Sequence, residues 1–137
     1  MNVRVSDFIF CLKATNFNEE GPCAKTILSF LNPEYVPGLF SFSVILILLG
    51  VDPASAHDLE VVFYDPNQEV VAQLLAELPT VKEHEENGIP AEFTGVNVAI
   101  DFNNVNFRRS GLYQMKVKFD RSEVAEKSIF VRGKNEQ

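Results

Sequence analysis

Two histidines, two cysteines and nineteen carboxylates are the whole stock from which this 137-residue chain could build a reactive site. His57 is followed by Asp58, and a His-Asp pair can ligate a metal ion. Such a site needs further His and Asp ligands, and the only other histidine, His84, sits among Glu83, Glu85 and Glu86 in a polar stretch that reads as a solvated acidic loop. A Cys-His nucleophile could be assembled from Cys11 with His57 or His84, but no spacing singles out that pairing. A Ser-His-Asp site would need a strained nucleophile turn, and no G-x-S-x-G occurs. The carboxylate pairs Glu19-Glu20 and Glu85-Glu86 fall in predicted loops with no cleft signature. Asp101-Phe102-Asn103-Asn104 has calcium-ligand residue types but lacks the glycine and distal glutamate of a calcium loop. The seven glycines are isolated, so no loop can cradle a phosphate. The expectation is a chain with no catalytic residue, no metal site and no cofactor, and with binding residues that the sequence does not identify.

Charge narrows the partners. The net charge is −7 and the isoelectric point is near 4.8. Nucleic-acid binding depends on neutralising phosphates with Lys and Arg, so nucleic acid is not an expected partner. The charge is nevertheless segregated. Arg108, Arg109, Lys116, Lys118, Arg121, Lys127, Arg132 and Lys134 lie in one stretch with only Asp120, Glu123 and Glu126. The bland reading is alternate solvated positions on two strands; the functional one is a patch for an acidic partner or for the acidic face of a second copy. The apolar run Leu39–Val51 has thirteen residues, where a membrane helix needs about 20. It is broken by Ser41 and Ser43 and closed by Asp52-Pro53, so no membrane association is expected. Met1–Arg4 leads directly into alternating sequence with no secretory signal. Cys11 and Cys23 could face each other across a hairpin, but they read as reduced structural thiols in a cytoplasmic protein.

The elements that must position these groups read as strands. Residues 3–15 alternate, with Phe10, Leu12 and Ala14 on one face, and residues 15–21 form a loop. Lys25–Leu31 is a second strand with Ile27, Ser29 and Leu31 on one side, followed by the prolyl loop Asn32–Gly38. In Leu39–Gly50, Phe40, Phe42, Val44, Leu46 and Leu48 share one parity. The run Val44–Leu49 is apolar on both parities and must sit centrally or be covered. His57–Asp65 points Leu59, Val61 and Phe63 inward, and Asp65-Pro66-Asn67-Gln68 is a tight turn. Strand and helix compete over the next segment. Val71, Leu74, Leu75 and Leu78 have helical spacing, but the tight turn favours a returning strand over Glu69–Leu75. Residues 79–90 form a loop. Ala91–Phe102 puts Val96, Val98, Ile100 and Phe102 in the core, and Asn103–Gly111 is a connection. Leu112–Asp120 buries Tyr113, Met115, Val117 and Phe119; Arg121-Ser122 is a hairpin loop; Glu123–Arg132 buries Ile129 and Val131. Residues 133–137 are expected to fray.

About seven to nine short strands without a crossover helix predict one all-β domain over residues 1–132, a two-sheet antiparallel sandwich. Gly111-Leu112-Tyr113 resembles the Gly-x-Tyr that enters the penultimate strand of immunoglobulin-like domains, where the tyrosine hydroxyl bonds back to the preceding corner. Met115 stands where an antibody domain has its second disulfide cysteine, and there is no Trp. The resemblance is therefore to the wide immunoglobulin-like architecture. Over its full length the chain is similar to an uncharacterised family of small bacterial β-sandwich proteins. The matching features are Ala14-Thr15-Asn16, the loop to Gly21, Lys25–Leu31, the prolyl loop, the apolar strand, Asp65-Pro66-Asn67 and Gly111-Leu112-Tyr113. That resemblance implies fold and bacterial origin, and no activity.

A scaffold with no reactive constellation, one very apolar strand and segregated charge points to a non-enzymatic binding or assembly module. A protein partner or self-association is expected, and a small molecule is not. Phe17, Tyr35 and Phe107 in predicted loops, with the Asn-rich 103–106 segment, motivate a ligand- or carbohydrate-binding alternative. A hydrolase built on Cys11, His57 and the acids is the remaining reading.

Overall fold

The computed structural model describes residues 3–16, 22–52, 54–78 and 95–136. Eight strands form two antiparallel sheets: β1 (Arg4–Asn16), β2 (Pro22–Ile27), β3 (Gly38–Leu49), β4 (His57–Tyr64), β5 (Val70–Leu78), β6 (Gly95–Phe107), β7 (Gly111–Phe119) and β8 (Ser122–Val131). The first sheet has the order β2-β1-β3-β6 and the second β5-β4-β7-β8. This is the immunoglobulin-like two-sheet sandwich that the strand spacing predicts.

Period-2 patterning places the core between the sheets. Phe42, Val44, Leu46 and Leu48 of β3 face Leu59, Val61 and Phe63 of β4 and Tyr113, Met115, Val117 and Phe119 of β7, all buried. Packed aromatic rings fill this part of the core. Phe63 lies 5.6 Å from Phe42, 6.1 Å from Phe107 and 5.4 Å from Tyr113, centroid to centroid. β3 lies between β1 and β6, so its doubly apolar second half is central, as its composition demands, with Ile45 buried on the outward face.

Several boundaries differ from the sequence expectation. Leu12 is exposed although it shares the parity of buried Phe10. The pairing of β1 with β3 ends at Cys11↔Ser43, and beyond it β1 runs on with β2 alone. The second strand is Pro22–Ile27, not Lys25–Leu31. Thr26 takes a left-handed φ of 59°, and Leu31 leaves the first sheet to bridge Val131 of β8 in parallel. β6 continues through Asn103–Phe107, because Phe102, Val105 and Phe107 all reach the core once a bulge opposite Phe40–Phe42 resets the register. The disputed segment is strand β5. Its pairing with β4 from His57↔Leu78 to Tyr64↔Val70 outweighs helical spacing and puts Leu74 and Leu75 on opposite faces. Residues 133–136, expected to fray, dock on the loop before β3. Lys134 N donates to Pro33 O, and Val36 N donates to Asn135 Oδ1. The predicted 79–90 loop lies outside the described residues.

The tight turns are defined by left-handed residues. Asp120 and Arg121, not Arg121-Ser122, form the two-residue β7–β8 loop, with φ of 48° and 71°. In the β4–β5 turn the positive φ falls on Gln68 (66°), next to Asn67, and Asp65 Oδ1 accepts from the backbone N–H groups of Asn67 and Glu69.

Candidate functional site

The groups with chemical potential are scattered by the fold, and His57, Asp65, Tyr113 and Asp120 are hydrogen-bonded within it. His57 opens β4 at one end of the sandwich, beside the β7–β8 loop. Its Nδ1 lies 2.7 Å from Asp120 Oδ2 and its Nε2 2.7 Å from the Asp52 carbonyl. Both partners are acceptors, so only the doubly protonated imidazolium donates to both. Burial of the ring opposes charging, but the Asp120 hydrogen bond and the Asp52 carbonyl outweigh it and hold the His57 pKa above the ordinary histidine value. The His57 hydrogen bond and the Asp58 N–H hold Asp120 below the usual carboxylate range. His57 thus pairs with Asp120 and not with its sequence neighbour Asp58. The two-residue loop brings that carboxylate over, and no local spacing announces it. Asp52, His57, Phe119, Asp120 and Glu123 line an open depression of about 760 Å³. Its polar groups tie the β3–β4 loop to the β7–β8 loop.

A second cluster sits at the β6–β7 corner. Tyr113, fully buried, donates its hydroxyl to Arg109 O at 2.7 Å, and burial pushes its pKa up. This is the corner that Gly-Leu-Tyr implied. Gly111 has a φ of +143°, and a Cβ there would stand 2.8 Å from Pro66 Cγ, so the motif's glycine is required on both counts. Asp65, buried, caps the β4–β5 turn and lies 3.8 Å from Arg109 Nε.

Cys11 lies on the outward side of the first sheet beside Ser43, whose hydroxyl donates to Asp101 Oδ1 at 2.5 Å. Burial, followed by the Asp101 charge, pushes the Cys11 thiol up, the opposite of an activated nucleophile. His57 belongs to the other sheet, so the Cys11–His57 pairing is not assembled. Cys23 pairs in register with Thr15, and Cys11 with Ile27. Four strand positions separate the two thiols, about 13 Å, and no disulfide reaches that far. Asp101 and Asn103 point away from buried Phe102, and among the described residues no three His, Cys, Asp or Glu converge. His84 and Phe17 lie outside the described residues. Of the other two loop aromatics, Tyr35 is exposed, while Phe107 is a core residue.

The basic stretch does not form one patch. Lys116 and Lys118 lie opposite Glu126 and Glu123 on β8, Lys134 pairs with Glu34 at 3.0 Å, and Arg109 turns to Asp65. Lys127 points inward from β8. Its Nζ donates to Phe8 O at 2.5 Å and lies 5.7 Å from the Phe10 ring, stitching the two sheets together.

The groups left with unused capacity are at the strand edges. A free edge presents unpaired N–H and C=O groups, and proteins protect such edges with prolines, lysines, bulges, inward charges or a covering segment. β2 is short, begins with Pro22, and carries Lys25 and left-handed Thr26. β6 has left-handed Asn104 and a register shift. β8 has inward Lys127 and the Leu31 bridge. Among the described residues β5 has none of these devices beyond a bulge at its start. Its nine residues, VVAQLLAEL, contain no Pro, Lys or Arg and no charge before Glu77, and Leu75 is 70% exposed. Its only irregularity is at its start, between Phe63 and Tyr64 of the partner strand. Among the described residues it pairs with β4 alone, and between β5 and the 101–106 stretch of β6 runs a groove of about 400 Å³. The sequence favours a strand here over the helix that the same apolar spacing suits, but only the sheet order makes that strand an edge.

In fold the domain is similar to part of the alkylpurine DNA glycosylase AlkC of Pseudomonas fluorescens, solved bound to DNA containing an abasic-site analogue. Identity is 7%, coverage 95% of this chain and 30% of that one, and the TM-score 0.52. A β-glucosidase from Listeria innocua in complex with glucose gives 12% identity, 96% and 16% coverage, and a TM-score of 0.50. An immunoglobulin-like protein from Pseudomonas aeruginosa gives 15%, 96% and 98% coverage, and 0.49. The chain thus spans less than a third of the glycosylase and less than a fifth of the glucosidase, and at these identities the likeness is one of fold. No curated protein matches the sequence. A family model described as a family of unknown function (DUF6941) matches residues 6–132.

Proposed function

The chain belongs to this family of unknown function, DUF6941, and from that premise we propose that the domain is a non-catalytic binding module that works through protein contacts, by accepting a strand at the β5 edge. The observation that carries the reading is the contrast among the edges: among the described residues, β5 alone carries no proline, lysine, left-handed residue or covering segment, its one device being a bulge at its start. Strand addition draws affinity from the main chain and specificity from alternate side chains. Here the partner would meet Gln73, Leu75 and Glu77 on one face and the half-buried Leu74 on the other. The engagement of His57, Asp65 and Cys11 within the fold favours a non-catalytic role. The two distant thiols suit a reducing compartment such as the cytoplasm.

Photo-crosslinking tests this reading. A photoreactive residue at position 75 should yield a discrete protein adduct in cells that make the protein, and one at position 116, on the central strand β7, should not. Equal labelling from both positions, or none from position 75, refutes it.

A further inference from the structure

Resting on the strand-addition reading, we infer that the partner of β5 is β5 of a second copy, paired antiparallel about a two-fold axis at Leu74. The charge pattern leaves room for this occupant along β5. Each copy carries a net charge of −7, so two copies repel wherever acidic faces meet. Val70–Ala76 is the uncharged stretch of an edge that is open among the described residues, and there two like-charged molecules approach without opposing charges. The strand is also self-complementary in register. Pairing about Leu74 sets Ala72 against Ala76, Gln73 against Leu75, Val70 against Leu78, and Val71 against Glu77. No pair opposes like charges, and the two half-buried Leu74 side chains meet across the axis on the core-facing side. The product is one continuous sheet in the order β8-β7-β4-β5-β5-β4-β7-β8, with both β8 edges closed by Lys127 and Leu31. The contact is a two-fold isologous one and therefore closes at two copies. Nine paired residues span about 30 Å. So small a contact makes a concentration-dependent dimer.

The test uses the full chain in two charge-altered forms, Q73K/L75K and Q73E/L75E. Both positions are exposed, so the fold tolerates the changes, and circular dichroism checks this. Sedimentation equilibrium to about 1 mM should show a dimer for the unaltered chain. Each altered form alone should be a monomer, because position 73 of one copy faces position 75 of the other and the substitutions set like charges there. Mixing the two should restore a dimer that is heterotypic and weakens with salt. Three results overturn the inference: an unaltered chain that is monomeric to about 1 mM, a dimer indifferent to both altered forms, or altered forms that do not recombine. A dimer lost only in F130K moves the contact to the exposed Leu112–Phe130 pair and also overturns it. A monomer that still crosslinks from position 75 to another protein leaves strand addition standing and removes only the second copy.

Discussion

The two edges of the second sheet are built from strands of similar length and are treated in opposite ways. β8 points Lys127 back under itself onto Phe8 and Phe10 and receives Leu31 along its outer side, where Leu31 N donates to Phe130 O and Arg132 N donates to Leu31 O. β5 receives nothing among the described residues and shows Val70 and Leu75 to solvent. Among the described residues one edge of this sheet is thus covered and the other is not.

The largest expected break in the comparison is Leu31→Ala. Leu31 is fully buried where it covers β8, and its truncation should cost about 3 kcal/mol in urea unfolding. Leu75→Ala on β5 should change monomer stability by less than about 0.5 kcal/mol. Similar losses at both positions would mean that β5 is covered after all. Lys127→Leu comes next. It removes one exposed charge-assisted hydrogen bond, roughly 1 kcal/mol, and light scattering should show increased association through the uncovered β8 edge. If scattering stays flat, the inward lysine does not protect the edge.

The His57–Asp120 pair, at the loop that starts β8, should contribute about 0.5–1 kcal/mol, since Asp120 is half exposed. The folded pKa of His57 is raised. Its share is therefore full below the ordinary histidine value, about 6.5, and is lost as pH rises through the folded value. The folded pKa of Asp120 is lowered. Its share is full above the ordinary aspartate value, about 4, and is lost as pH falls through the folded value. Urea midpoints should thus lose this increment on both sides of roughly pH 4–6.5, and His57→Ala should flatten the alkaline limb. The smallest effect belongs to the turn that feeds β5. Gln68→Gly relieves a left-handed φ and should raise stability by about 0.5 kcal/mol without altering association.

Much of the sandwich was legible along the chain because burial on one face of a strand writes a period of two. Leu112–Phe119 and Val96–Phe102 show that pattern without interruption, and both packed as read. The Gly111–Tyr113 corner was legible because a left-handed glycine and a buried hydroxyl are local requirements. The exit of Leu31 from the first sheet was not, since Ile27, Ser29 and Leu31 alternate like a strand and only the β8 backbone decides where Leu31 bonds.

By itself, then, the sequence determined the all-β class, the core parities and the scarcity of reactive groups, because hydrophobic alternation and residue counts are properties of the chain. Only the tertiary structure decided that His57 meets Asp120, that Cys11 and Cys23 stand apart, and that β5 is an open edge among the described residues. Partners and edges are defined by what lies across a sheet, and sheet neighbours are joined by contacts that sequence spacing does not encode.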